Sequence, residues 1–264
     1  MQFVSINGHT IHYKFIQHPL HKNAEGKTFL FINSLGTDFR IWDKTVDALK
    51  GYGNILLFDK RGHGLSDFVE DTKGLKDFTD DMLALLQYLF INKCVPIGIS
   101  VGGMLAQLIA HDAPAKVEKL ILCDTNCKIG TLQTWNERIA SVKEKGLASI
   151  SDGVMERWFS EKFRNKNAVK VSGYKNMLER TPVPGYIKTC VAIRDADLTE
   201  IARQIKTAAL CIVGSEDKTT TPAEVKNLAG LIEGAEYKVI EGSGHIPCVD
   251  NAAVFNRLII DFIK

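Results

Sequence analysis

A serine between two glycines is the first group in this sequence that could do chemistry. Residues 98–102 read Gly-Ile-Ser-Val-Gly, with an apolar strand-like stretch before them and a helix-forming stretch, 103–110, after them. A sharp strand-to-helix turn lifts a serine hydroxyl clear of a sheet, and small flanking residues avoid collisions with the neighbouring elements. Ser100 is therefore the candidate nucleophile.

A serine hydroxyl needs a base to remove its proton during attack, and a neutral imidazole is the usual one. His245 stands in the glycine-rich segment 241–247, directly after the strand-like residues 237–240, so it can reach over the end of a sheet. The other histidines lie in turns, in the polar amino-terminal region or at a helix end, and we do not expect them to be the base: His9, His12, His18, His21, His63 and His111.

The carboxylate that orients such a histidine usually follows a strand and precedes the histidine in the chain. Residues 208–214 are strand-like, and Asp217 lies three residues beyond Gly214. Two alternatives remain at this stage, namely Glu216 in the same loop and Asp124 after the strand-like residues 120–123. The sequence therefore predicts a triad of Ser100, Asp217 and His245.

An acyl-transfer site also needs hydrogen-bond donors for the oxyanion of the tetrahedral intermediate. The backbone N–H of Val101, the residue after the serine, is the first expected donor. The second is the N–H of Leu35, in the loop that follows the apolar strand-like residues 28–32.

The order of strand and helix patterns predicts an α/β fold of the α/β-hydrolase type. We expect a mostly parallel central sheet with helices on both faces and an amino-terminal hairpin at one edge. The predicted strands are 2–6, 10–15, 29–32, 55–58, 95–99, 120–123, 210–213 and 237–240, and the predicted core helices are 41–49, 78–90, 101–111, 222–231 and 252–263.

Residues 128–206 interrupt this alternation with helical composition and little strand pattern. An insertion between two core strands is expected to cover the carboxyl ends of the strands, where ligands bind in such sheets. The predicted organisation is a core formed by 1–127 and 207–264 with a helical cap formed by 128–206.

Composition narrows the function classes. The chain has 264 residues, 45% hydrophobic content, and 33 basic against 31 acidic side chains. A formal charge of +2 gives no electrostatic case for nucleic acid or for an anionic membrane as a partner. We expect a cytoplasmic protein, because the amino terminus lacks a signal-peptide pattern and no apolar run is long enough to span a bilayer.

Cysteine usage points the same way. Six cysteines in a chain of this length do not indicate a disulfide scaffold, and three of them, Cys94, Cys123 and Cys211, lie in or beside strand-like segments. Cys123 and Cys127 have no nearby cysteine or histidine pair, so we expect no zinc site and no other metal.

Several motifs resemble the 3-oxoadipate enol-lactonases of the β-ketoadipate pathway. The likeness covers nearly the whole chain and is most specific within 128–206. It is carried by residues 33–38 (NSLGTD), 59–67 (DKRGHGLSD), 96–104 (PIGISVGGM), 135–139 (WNERI), 157–159 (RWF), 183–186 (VPGY) and 192–198 (AIRDADL).

The resemblance implies hydrolysis of a small-molecule enol-lactone during bacterial catabolism of aromatic compounds, with no cofactor. It supports Ser100, Asp217 and His245 as the triad and Leu35 and Val101 as the oxyanion donors. Val101 stands where methionine is usual in that family, a change that a backbone donor tolerates.

A lactone with a free carboxylate also needs a cation in its pocket. Arg138 is the first candidate, with Trp135 three residues before it on one helix face as a further substrate contact. Arg194 is the second candidate. Arg61 and His63 are expected to be structural, because the surrounding glycines indicate a tight turn.

Other functions remain open for a chain with this triad. They are a broader carboxylesterase, a C–C bond hydrolase, and a small-molecule receptor in which the triad binds its ligand without efficient turnover. Epoxide and haloalkane hydrolases are disfavoured, because those enzymes use an aspartate where this chain has Ser100.

Overall fold

The computed structural model describes residues 1–20 and 26–264, so His21 lies outside the described residues. Their strands form one eight-stranded sheet. The strands are β1 (Gln2–Ile6), β2 (His9–Ile16), β3 (Thr28–Ile32), β4 (Asn54–Phe58), β5 (Val95–Ile99), β6 (Leu120–Cys123), β7 (Ala209–Gly214) and β8 (Glu236–Ile240).

The sheet order is β1-β2-β4-β3-β5-β6-β7-β8. β2 pairs antiparallel with both β1 and β4, and every later pairing is parallel. All residues of β3 to β7 are buried, as strands covered by helices on both faces should be. The predicted fold is confirmed, and each predicted strand matches its observed bounds to within one residue at either end.

Helices follow most strands and cover the sheet. They are α1 (Asp43–Leu49), α2 (Leu75–Tyr88), α3 (Val101–Asp112), α4 (Leu132–Lys145), α5 (Ala148–Trp158), α6 (Glu161–Lys166), α7 (Ala168–Glu179), α8 (Val183–Arg194), α9 (Thr199–Gln204), α10 (Pro222–Leu231), α11 (Pro247–Asp250) and α12 (Ala252–Ile263). The segment between β6 and β7 carries α4 to α9. We refer to residues 128–206 as the insertion.

The core helix predicted over 41–49 begins at Asp43, after a 3₁₀ turn over Phe39–Trp42, and the one predicted over 78–90 differs at both ends. The helix predicted over 78–90 begins at Leu75, because the Asp77 carboxylate accepts the N–H groups of Lys73 and Gly74 at 2.7 and 2.9 Å and caps the helix start earlier. It ends at Tyr88, and Phe90 beyond it has a φ of +55°, which a continuing helix cannot contain. The apolar periodicity extended past this end because Leu89 is still partly buried against the core.

The turn between β5 and α3 is tightly packed. A Cβ at Gly98 would collide with the backbone of Gly102, and a Cβ at Gly102 would collide with the carbonyl of Ile32 in β3. Strand, turn and helix therefore pack closely only because both positions lack a side chain.

Within the described ranges, we find no helix that combines the length and apolar character needed to cross a bilayer.

Gly102→Ala tests this packing. An alanine normally stabilises a helix interior by about 1 kcal/mol relative to glycine. At position 102 we instead expect a loss of about 1–3 kcal/mol in the free energy of unfolding, because the new methyl overpacks against β3. Gly173→Ala in α7 is the matched control, since a Cβ there meets no atom within 4 Å and should stabilise. Urea unfolding of both variants measures the difference, and stabilisation by Gly102→Ala would contradict the packing account.

Candidate active site

The carboxyl ends of β5, β7 and β8 bring the three predicted catalytic residues together. Ser100 directly follows β5 with a φ of +57° and a ψ of −123°, a conformation that L-residues adopt only under constraint. Asp217 and His245 lie in the loops after β7 and β8. Nδ1 of His245 lies 2.8 Å from Oδ2 of Asp217, and His245 shares a cavity with Ser100. An Nδ1–H that donates to Asp217 leaves Nε2 as the basic nitrogen.

The hydrogen bonds around Asp217 keep it ionised inside the protein. Burial alone would raise the pKa of Asp217, but the adjacent His245 and the donors of the next turn bring that pKa below its usual value. Oδ1 accepts the N–H groups of Thr219 and Thr220 at 2.7 and 3.2 Å, and Oδ2 accepts the Thr220 hydroxyl at 2.7 Å. Asp217 is therefore a fixed negative charge that can orient the histidine and stabilise its protonated form.

The two alternative acids occupy different environments. Glu216 is exposed. Asp124 is fully buried beside the triad: one ligand-type atom from each of Asp124, Asp217 and His245 lies within 4.8 Å of the other two. Oδ1 of Asp124 accepts the Gly214 N–H at 2.9 Å, while Oδ2 has no partner among the described residues. Of the three candidate acids, Asp217 is the one that bonds to His245.

Asp124 favours its protonated form far more than an ordinary aspartate does. Burial raises the pKa of Asp124 well above its usual value, and the negative charge of Asp217 raises it further. Two adjacent buried carboxylates cannot both ionise readily, and Asp217 has the donors and the histidine that favour its charged form.

The two expected oxyanion donors are free to act. Leu35 lines the cavity that contains Ser100, and Val101 begins α3 directly after the serine. No acceptor in the described part of the chain takes the N–H of either residue. The next amide, Gly36, is not available, because its N–H donates to Nε2 of His63 at 3.0 Å.

The insertion supplies much of the cavity wall around Ser100. Trp135 lines the cavity, and its indole N–H donates to the carbonyl of Ile129 at 2.7 Å. The guanidinium carbon of Arg138 lies 5.0 Å from the centre of the Trp135 ring, within cation–π range. The complete lining is Ser34, Leu35, Ser100, Ile129, Trp135, Arg138, Val154, Arg157, Trp158, Tyr186, Ile193, Thr219 and His245.

Arg157 is a cavity residue that sequence reasoning did not single out. It stands in the 157–159 segment that carries the family resemblance, and that segment was the available signal. Burial lowers the pKa of Arg157, and the positive charge of Arg138 lowers it further. Neither arginine has a carboxylate partner within the described ranges. The cavity therefore holds two cations, neither of which forms an ion pair with a carboxylate of the described residues.

Tyr186 completes the polar part of this wall. Burial raises the pKa of Tyr186 despite the nearby arginines, so the phenol stays neutral and can donate a hydrogen bond.

Arg194 lies elsewhere. Its guanidinium bonds to both carboxylate oxygens of Asp195 at 2.7 and 2.9 Å and to the side-chain oxygen of Asn136 at 2.9 Å. It does not line the cavity with Ser100. The structure therefore does not bring Arg194 to the site, because a neighbouring acid on its own helix end holds it at the surface.

The turn after β4 hydrogen-bonds to α2 and to the oxyanion loop. The guanidinium of Arg61 bonds to both carboxylate oxygens of Asp81 in α2, at 2.7 and 2.8 Å, so its role is structural. His63 is fully buried and holds the Gly36 amide beside the oxyanion loop.

The insertion is hydrogen-bonded to the loop that carries His245. The N–H of His245 donates to the carbonyl of Arg157 at 3.4 Å, and that of Ile246 to the carbonyl of Trp158 at 3.0 Å. The Asp250 carboxylate accepts the N–H groups of Gly244 and Ser160 at 2.7 and 2.8 Å. These bonds hold Arg157 and the base in a common framework.

The sequence profile of the α/β hydrolase fold matches residues 27–252. The chain belongs to the α/β-hydrolase family. Its curated relatives include two 3-oxoadipate enol-lactonases of Acinetobacter baylyi, at 34% identity over 89% of this chain and 88% of the relative, and at 30% over 91% and 90%. An enol-lactonase structure from Burkholderia xenovorans LB400 superposes with a TM-score of 0.95 at 30% identity and covers 99% of both chains. The predicted resemblance to the enol-lactonases is confirmed.

Paired amide substitutions test which acid serves His245. Asp217→Asn should lower kcat about 10⁴-fold, because an amide stabilises the wrong imidazole tautomer and no longer offsets the positive charge that forms. Asp124→Asn should keep kcat within about threefold, since an amide replaces a neutral acid of the same shape. Hydrolysis of p-nitrophenyl acetate measures both. A larger loss in the Asp124 variant would make Asp124 the functional acid.

Proposed function

We propose that this protein is a serine hydrolase that opens 3-oxoadipate enol-lactone to 3-oxoadipate in the β-ketoadipate pathway. Two unneutralised arginines beside a buried Ser-His-Asp arrangement carry this proposal, because a lactone with a free carboxylate needs a nucleophile and a cation in one cavity. The enol-lactonase relatives at 30–34% identity support the same substrate.

The reaction begins when Ser100 attacks the lactone carbonyl and His245 takes the serine proton. Asp217 keeps the imidazole oriented and stabilises its positive charge, while the N–H groups of Leu35 and Val101 bind the oxyanion. Collapse of this intermediate breaks the ring C–O bond and gives an enolate that stays attached to the acyl group. The enolate is a better leaving group than a simple alkoxide, and it takes up the proton that His245 removed from Ser100, which returns the imidazole to its neutral form.

Water completes the cycle. His245 removes a proton from the water as it attacks the acyl-enzyme, and then returns that proton to Ser100. The released enol takes up its proton on carbon and becomes the ketone of 3-oxoadipate. Apart from the lactone and water, every group that these reaction steps use is a side chain or a backbone amide of this chain.

Arg138 and Arg157 bind the substrate carboxylate in this proposal. The positive charges of the two guanidinium groups repel each other, and an anion bound beside both relieves that repulsion. The neutral phenol of Tyr186 supplies a further donor on the same wall. Trp135 holds the Arg138 guanidinium against its ring and so limits its freedom before the substrate binds.

We also propose that residues 128–206 act as a cap on a core formed by 1–127 and 207–264. The cap is proposed to supply substrate selectivity, since both arginines and Trp135 belong to it, whereas the reacting groups belong to the core. A cytoplasmic location fits the six cysteines, which are all free thiols buried in the protein.

Ser100→Ala tests the nucleophile. We expect kcat for freshly prepared 3-oxoadipate enol-lactone to fall by at least about 10⁴-fold, because alanine removes the oxygen that attacks the lactone carbonyl. The melting temperature should stay close to that of the wild type. Ser151→Ala is the matched control, because Ser151 is buried in α5 and lies outside the cavity. Retained lactone turnover in Ser100→Ala would remove the serine mechanism.

Arginine substitutions test the carboxylate site. Arg138→Gln and Arg157→Gln should each raise KM for the enol-lactone about 10–100-fold, the value of a charge-assisted hydrogen bond. They should change KM for p-nitrophenyl acetate, which has no carboxylate, by less than about twofold. Arg194→Gln is the control, since Arg194 is paired with Asp195 and outside the cavity. Equal effects on both substrates would show that the arginines do not bind the carboxylate.

Wild-type rates separate the enol-lactonase from the other functions this triad allows. Fast lactone opening beside slow aryl-ester hydrolysis is the expected result. Good ester turnover with weak lactone turnover would indicate a general carboxylesterase. Negligible turnover of both would favour a receptor or another substrate.

A further inference from the structure

Lys60 is a buried charged side chain that the mechanism above does not use. It follows β4, its residue is 2% exposed, and its Nζ lies 2.6 Å from the carbonyl oxygen of Ser34. A buried ammonium group loses the hydration that it has in water, so such a position needs a compensating interaction.

The carbonyl of Ser34 and the N–H of Leu35 are the two ends of one peptide group. Lys60 binds the oxygen end of this peptide. The nitrogen end is the proposed oxyanion donor and has no acceptor in the described part of the chain. The Thr37 hydroxyl also donates to the Ser34 carbonyl, at 3.0 Å, and fixes the peptide from the same side.

A positive charge at a carbonyl oxygen draws electron density through the amide and makes its N–H a stronger donor. The effect grows when negative charge develops on the acceptor, because ammonium, peptide dipole and oxyanion then line up in a poorly solvated site. We infer that Lys60 is a positioning residue of the oxyanion hole, where it holds and polarises the Ser34–Leu35 peptide. This inference rests on the proposed role of Leu35.

The charges around Lys60 leave its ammonium free for this role. Asp59 and Asp38 are the nearby acids, but Asp59 bonds to Nδ1 of His12 at 2.8 Å and Asp38 to the guanidinium of Arg40. Neither forms an ion pair with Lys60 within the described ranges. His63, the other titratable neighbour, is neutral because burial and the charge of Lys60 lower its pKa well below the usual value.

Lys60 therefore titrates in the neutral range. Burial lowers the pKa of Lys60 to about 7, with Asp59 and Asp38 opposing that shift. Below this pH the ammonium polarises the peptide. Above it, the neutral amine can still donate its hydrogen bond but no longer brings a charge. Transition-state stabilisation should fall as pH rises through this pKa, whereas the geometry of the loop should not change.

Lys60→Met replaces the ammonium by an apolar chain of similar length. We expect wild-type kcat for p-nitrophenyl acetate to decline about tenfold through an alkaline limb centred near the Lys60 pKa of about 7. Lys60→Met should already be about tenfold slower on the acidic side of that limb and should show no alkaline limb, with KM unchanged. Lys27→Met is the matched control, because Nζ of Lys27 also donates to a backbone carbonyl, that of Ile263 at 2.9 Å, but Lys27 lies at the amino end of β3, whereas the oxyanion loop follows its carboxyl end.

An alkaline limb that persists in Lys60→Met, or a change confined to KM, would overturn the inference. Failure of the wild type to hydrolyse either ester would instead overturn the proposed function. If the wild type hydrolyses neither ester, or if Lys60→Met does not fold, a second measurement tests the Lys60 inference. In His245→Gln protein, where no imidazole titrates beside Ser100, the amide resonance of Leu35 should shift with an apparent pKa of about 7. A Leu35 amide that does not titrate overturns it.

Discussion

The backbone conformation of Ser100 is the constraint on which the rest of the site depends. A residue held at its φ of +57° and ψ of −123° costs about 1–3 kcal/mol and persists only where its surroundings enforce it. Its N–H donates to the carbonyl of Cys123 in β6 at 3.0 Å, and its own carbonyl accepts the Thr125 hydroxyl at 2.6 Å. β5 and β6 therefore determine where the serine oxygen lies, and the glycines of the turn let α3 start against β3. The catalytic geometry is a consequence of how the sheet packs.

The environments of the two buried acids, Asp217 and Asp124, shift their pKa values in opposite directions. Asp217 is ionised because three hydrogen-bond donors and His245 surround it. Asp124, a few ångströms away, has a pKa raised by its burial and by the negative charge of Asp217, so it favours its protonated form. Because the pKa values of the two acids are shifted in opposite directions, the negative charge beside the imidazole is concentrated on Asp217. The orientation of the base then depends on one carboxylate, as an acid–base cycle requires.

Much of this arrangement was predictable from sequence, and the missing part has a physical reason. Local patterns identified the strands and the turn at Ser100, because burial on both faces gives each parallel strand an apolar run. Spacing within one loop placed Asp217 ahead of Glu216. Sequence patterns did not indicate that Arg157 lines the cavity or that Arg194 lies outside it. The direction of a side chain on a helix that packs against another segment depends on tertiary contacts. The next residue, Asp195, binds the Arg194 guanidinium and holds it at the surface.

Hydrogen bonds join the insertion, which carries Arg157, to the loop that carries His245. Backbone carbonyls of Arg157 and Trp158 accept N–H groups from this loop, and Asp250 joins the start of α6 to the same loop. A shift of α5 would therefore move the Arg157 guanidinium and the imidazole of His245 together. Because a misplacement of about 1 Å can cost about 10²-fold in rate, the proposed function predicts that a substrate whose carboxylate does not engage Arg157 loses binding and also loses alignment with the base. On this proposal, specificity for the carboxylate should appear in kcat as well as in KM, although Arg157 does not contact the bond that breaks.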